Sequence, residues 1–71
     1  MPIIEMHLMT GRSVEQKRRL ATDVAQAASR ALDVDVGTVR ILITEHGPED
    51  FSVAGITVGA KTQNTVKELT P

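Results

Sequence analysis

The sequence predicts a small α/β (α+β) domain, a β-α-β unit followed by a β-hairpin, and three observations predict it. An alternating apolar run opens the chain at Ile3 to Met9, helical periodicity occupies Val14 to about Leu32, and a β-branched run, VRILITE, follows at Val39 to Glu45. Strand, long helix and strand in that order give parallel strands joined by a right-handed crossover.

In the first run, Ile4, Met6 and Leu8 share one face, and Ile3, Glu5, His7 and Met9 share the other. That is a strand packed on one side. Thr10, Gly11 and Arg12 turn the chain, and Ser13 with Gln16 beyond it has the form of a capping box, which starts a helix at Val14. Along the helix Leu20, Val24, Ala27, Ala28, Ala31 and Leu32 recur at helical spacing, and Arg18, Arg19, Asp23, Gln26 and Arg30 occupy the remaining surface. Glu15 and Arg19 are spaced for an i,i+4 pair, and Lys17, Arg18 and Arg19 read as a solvated face. Residues 33–38 connect to the second strand, read as the more buried of the two. Phe51 to Val58 reads as a short hairpin or strand pair broken by Gly55 and Gly59. Residues 61–71 read as a frayed, variable tail, with a short docked helix as the alternative; the whole of 1–71 is expected to be one domain.

Composition narrows the function. A chain of 71 residues buries only about 60% of its unfolded surface and needs a disulfide, a metal or oligomerisation to be robust. There is no cysteine, and two histidines far apart give no metal-ligand spacing. Oligomerisation remains, through strands that pair across a dimer into a four-stranded sheet. A net charge of -1 and a single aromatic residue, Phe51, argue against nucleic acid. No apolar run is long enough for a membrane span and none follows a basic N-terminus, so the expected location is the cytoplasm.

Three residues invite a chemical reading. In most cells the initiator methionine is removed before proline, which would leave Pro2 with a secondary amine rather than an amide. Burial or neighbouring cations lower the pKa of such an amine from its usual range of roughly 7.7 to 8, and a base works best near the operating pH. Pro2 also reads as an ordinary strand starter. Arg12 precedes the helix cap, where a cation is mildly unfavourable unless an anion binds beside it; a solvated arginine is the alternative. Arg40 interrupts an apolar strand, so it either reaches solvent at a sheet end or holds an anion. Pro2 and Arg12 lie at opposite ends of the first strand, roughly 20 to 25 Å apart at about 3.3 Å per residue. One chain cannot bring them together; antiparallel pairing of first strands across a two-fold axis can.

The stretches MPII, GRSVEQKRRL, SRALDV, VRILITE and EDFSVAG, with their spacing, resemble the 4-oxalocrotonate tautomerase (2-hydroxymuconate tautomerase) family of the tautomerase superfamily. The resemblance implies a β-α-β subunit in a hexamer, usually a trimer of dimers. It implies that Pro2 is the catalytic base, that Arg12 and Arg40 bind and polarise a dicarboxylate, and that Phe51 is an apolar wall, with these groups drawn from neighbouring subunits. The implied reaction, which needs no cofactor, converts the dienol 2-hydroxymuconate to its conjugated keto isomer, 2-oxo-3-hexenedioate. Phe51 also reads as a core plug, and His7 and His46 as ordinary surface or sheet-face residues. Asp33 and Asp35 place negative charge in the connection before the second strand, where it would tune substrate preference if it lies near the site.

The related 3-haloacrylate dehalogenases add a water-activating glutamate and another arginine; this chain has Val53 and Met9 at the corresponding positions, so hydration lacks its base. A biosynthetic tautomerase with another substrate fits the same residues as a catabolic one. A non-catalytic subunit of a hetero-oligomer fits if Met1 is retained.

Overall fold

The computed structural model describes residues 1–64. Its first part is the expected β-α-β unit: β1 (Ile3–Met9), α1 (Val14–Leu32), a single 3-10 turn (Val36–Thr38) and β2 (Arg40–His46). The strands pair in parallel from Ile3 opposite Arg40 to Met9 opposite His46. This register puts Ile4, Met6, Leu8, Ile41, Ile43 and Glu45 on one face, and Ile3, Glu5, His7, Met9, Arg40, Leu42, Thr44 and His46 on the other.

The local reasons for α1 are visible at both ends. Ser13 Oγ accepts from the Gln16 amide at 3.0 Å, and Gln16 Oε1 accepts from the Ser13 amide at 2.9 Å. Two otherwise orphaned donors are thereby satisfied. At the far end Asp33 adopts the left-handed conformation and donates its amide to the Ser29 carbonyl, closing the last turn. The helix covers the first sheet face, whose apolar side chains are half-buried. Lys17 reaches from the helix to Glu45 on that face at 3.1 Å. Lys17 therefore leaves the solvated face expected of it, and no ion pair joins Glu15 to Arg19 among the described residues.

Two further expectations change. The second strand begins at Arg40 rather than Val39, because Val39 closes the 3-10 turn by donating to the Val36 carbonyl. Nor is it the more buried strand: Leu42 is 52% exposed, because no described residue covers the face that it shares with Ile3, itself 61% exposed.

The C-terminal part is an arm. Strands β3 (Ser52–Val53) and β4 (Ile56–Thr57) form an antiparallel hairpin through Ala54 and Gly55, both with positive φ, as a two-residue turn of this hand requires. Helix α2 (Val58–Asn64) follows at once, its start held by the Ala60 amide donating to Thr57 Oγ at 3.0 Å. Residues 61–64 are thus helical, and the rest of the expected tail lies outside the described residues. The Gly59 amide donates to the Pro48 carbonyl at 3.0 Å, and a Cβ at this position would displace the Glu49 carboxylate that lies over it.

No described residue is fully buried, and the radius of gyration is 16.4 Å. A compact domain of this length would have a radius near about 11 Å. Ile3 and Leu42 of the bare sheet face and Val53 and Ile56 of the arm together leave much apolar surface exposed among the described residues.

Candidate active site

At the entry end of the sheet, Pro2 and Arg40 are neighbours. The Arg40 amide donates to the Pro2 carbonyl at 2.9 Å, which adds one further rung below the first strand pair. Pro2 suits this place because the rung uses its carbonyl and not the N–H that proline lacks. Its ring is half-buried, while Met1 before it is 77% exposed. Arg40 stands on the bare face, with its Nη1 donating to the Gly37 carbonyl at 2.7 Å. The 3-10 turn thus sets both the start of β2 and the direction of the guanidinium.

Arg12 and Phe51 belong to the exit end. Arg12 lies in the turn between β1 and α1, between Gly11, whose φ of 118° only glycine adopts readily, and the Ser13 cap. It is exposed and makes no hydrogen bond or ion pair with the other described residues. Its position just before the helix start leaves a free guanidinium beside the positive end of the helix dipole, an arrangement that favours a bound anion. Phe51 is 49% exposed and, with His7, Leu8, Met9 and His46, lines a mostly apolar cavity of about 380 Å³. The turn into Phe51 is fixed by the Asp50 amide donating to the Gly47 carbonyl and the Gly47 amide donating to Asp50 Oδ2. Phe51 therefore does not plug a core.

One contact at this end has no counterpart in the sequence reading. His7 Nδ1 and His46 Nε2 lie 2.8 Å apart, with ring centroids 5.0 Å apart. The centroids are farther apart than the nitrogens by nearly two ring radii laid end to end. The rings therefore meet nitrogen to nitrogen in line, as a hydrogen bond, rather than face to face. Each histidine looked like an isolated sheet-face residue, and only the strand register brings them to one diagonal of the same face.

The entry end thus holds Pro2 and the Arg40 guanidinium, and the exit end holds the Arg12 guanidinium and the Phe51 ring. Asp33 and Asp35 sit in the segment before Arg40, and the Asp35 carboxylate lies against Gly37. Among the described residues no group of three or more histidine, cysteine or acidic side chains is placed to hold a metal, and no helix is long and apolar enough to cross a membrane.

Comparison with known proteins agrees with the fold and with the sequence motifs. Residues 2–61 match the family model described as tautomerase enzyme. A 2-hydroxymuconate tautomerase of Pseudomonas putida is 44% identical over 55 residues, which are 78% of this chain and 87% of the relative. Among solved structures, a 4-oxalocrotonate tautomerase isozyme from Methylibium petroleiphilum is 48% identical with a TM-score of 0.84, over 90% of this chain and all of the other. A heterohexameric 4-oxalocrotonate tautomerase from Chloroflexus aurantiacus is 37% identical with a TM-score of 0.78, over 83% of this chain and 95% of that one. The β-α-β subunit, the parallel strand register and the match across residues 2–61 together establish that this chain belongs to the tautomerase family, whose members are isomerases.

Proposed function

We propose that the chain is a cofactor-independent keto-enol tautomerase acting on a dienol dicarboxylate such as 2-hydroxymuconate, with Pro2 as general base. In this reading Met1 is removed, and the neutral Pro2 amine accepts the proton of the 2-hydroxyl group. Electrons move along the diene, and the same proton is delivered to a distant carbon to give 2-oxo-3-hexenedioate. One of Arg12 and Arg40 anchors the carboxylate beside the 2-oxygen. The other draws electron density toward the far carboxylate, where charge develops in the transition state. Phe51 supplies an apolar wall that excludes water and strengthens both ionic contacts.

The observation that carries this reading is the contact of Pro2 with Arg40 at one end of the sheet, in a chain 44% identical to a 2-hydroxymuconate tautomerase. Because Arg12 and Phe51 sit at the other end, the complete site is composite, made by chains that pair β1 antiparallel into a four-stranded sheet and assemble as a homohexamer in the cytoplasm. The bare sheet face and exposed arm support such an assembly. A second reading, a subunit of a hetero-oligomer, is favoured by the heterohexameric relative from Chloroflexus aurantiacus. In that reading Met1 is retained and the Pro2 nitrogen stays an amide.

Intact-mass measurement of the purified native chain, followed by an ultraviolet assay with 2-hydroxymuconate and with a monoacid analogue, separates the readings. A chain beginning at Pro2 that prefers the diacid is expected. A dominant species that keeps Met1 would remove Pro2 as the base, and equal rates on the two compounds would assign another substrate.

A further inference from the structure

We propose that His7 and His46 form a one-proton clasp that positions Phe51 and opens when both rings are protonated. This rests on the reading of Phe51 as a wall of the substrate site.

The contact holds one proton and no more. At 2.8 Å in line, one imidazole nitrogen donates and the other accepts. A first added proton goes to an outer nitrogen, His7 Nε2 or His46 Nδ1, and leaves the shared bond intact and charge-assisted. A second removes the last acceptor. Two N–H groups then point at each other, and two like charges face across the same gap, so the rings must part.

His46 is placed so that its parting is felt at Phe51. It is the last residue of β2, and its carbonyl accepts from the Thr10 amide at 2.9 Å, so its backbone is tied to the chain leaving β1. Its ring is free to choose only whether to stay on His7. The tight turn Gly47 to Asp50 connects it to Phe51, and both rings and Phe51 line the same cavity. Swinging either imidazole away changes the shape of the cavity that Phe51 also lines.

The charged groups on the surrounding elements are otherwise engaged or distant along the face. Glu5 is two residues before His7 on the same face of β1, and Arg40 stands at the far end of β2 on the Gly37 carbonyl. In the loop and hairpin, Glu49 accepts from the Thr57 hydroxyl, and Asp50 accepts from the Gly47 amide. Lys17 and Glu45 pair with each other on the opposite face, toward α1, and Arg12 lies beyond Thr10 in the turn that follows β1. No carboxylate is hydrogen-bonded to either ring among the described residues.

Phe51 is the only phenylalanine, tyrosine or tryptophan in the chain, so 4-fluorophenylalanine labelling gives one fluorine reporter at the site. Its resonance is followed as pH falls from roughly 8 to about 5, across the range in which imidazoles gain a proton. The wild-type signal is expected to shift over this range. In His46→Gln the side-chain oxygen accepts from His7 in every protonation state, and the shift is expected to vanish; His7→Gln, which keeps the bond from the other side, is the second variant. An unmoved wild-type resonance, or the same shift in both Gln variants, would overturn the clasp. With substrate, KM of the wild type is expected to rise several-fold more than that of His46→Gln over the same acid range, while the acid fall in kcat set by Pro2 is common to both. An identical KM profile would reduce the pair to a structural contact. If 2-hydroxymuconate is not turned over at all, the proposed function fails while the fluorine titration still decides the clasp.

Discussion

The two ends of the β1–β2 pair differ in what they hold and in how they hold it. At the entry end, Pro2 and Arg40 are fixed by a main-chain bond and a guanidinium-to-carbonyl bond, all within a few residues of one turn. At the exit end, Arg12 projects unpaired from a glycine turn, and half-exposed Phe51 lines an open cavity with His7, Leu8, Met9 and His46. The entry end is finished locally. The exit end leaves its cation and its ring open to whatever approaches, which is the feature that the proposed composite site uses.

The sharpest way to break this comparison is to remove the base. Pro2→Ala is expected to lower turnover by about 10² to 10⁴, the range of a positioned general base, because the primary amine is less rigid and differently placed. Turnover equal to wild type would take Pro2 out of the chemistry. Next come the two arginines. Arg12→Ala and Arg40→Ala should each cost about 1.5 to 3 kcal/mol in kcat/KM, as for loss of a charged anion contact. Unaltered kinetics in either would return that arginine to the surface.

Subunit mixing tests the division itself. Pro2→Ala chains unfolded and reassembled with Arg12→Ala chains should recover a measurable part of wild-type activity, because some sites then draw a sound proline from one chain and a sound arginine from another. No recovery in verified mixed oligomers would mean that one chain supplies both groups.

Smaller effects concern how the exit end is held. Ser13→Ala removes one half of the capping box behind Arg12 and should cost about 1 kcal/mol of stability, read as a lower denaturation midpoint. Stability unchanged by the substitution would mean that solvent replaces the cap without loss. Least of all, Lys17→Met should cost under about 1 kcal/mol, since the Lys17–Glu45 pair is exposed at 29% and 34%, and the difference should shrink in high salt. A salt-independent loss would indicate packing of the lysine stem on the sheet rather than charge.

What was legible in the sequence follows the range of the forces involved. β1 and α1 fall where alternation and capping put them, because the Ser13–Gln16 exchange and the pleat are local. The start of β2 slipped by one residue because the Val39 amide is taken by a 3-10 turn that apolar periodicity does not encode. The burial of β2 is less than its composition suggests, since β-branched residues announce a strand but do not say whether a second layer covers it, and no described residue covers Leu42. The polarity of the tail from Lys61 leaves fraying and a short docked helix both open; its described part, residues 61–64, is the end of a helix that begins at Val58 behind the Thr57 hydroxyl. Pro2, Arg12, Arg40 and Phe51 stood out as residues whose types clash with their places. The His7–His46 contact did not, because neither residue is out of place until the register joins them.

Separation of the two residue groups along one strand has a genetic consequence. Groups that share no turn, helix or loop can be altered by independent substitutions, so a duplicated copy of this gene could lose the proline half and keep the arginine half, or the reverse. Neither copy would then suffice alone, and both would be retained together. Under the proposed composite site, a single short coding sequence holds two separable contributions to one pocket, and division of labour between paralogues needs no change of fold.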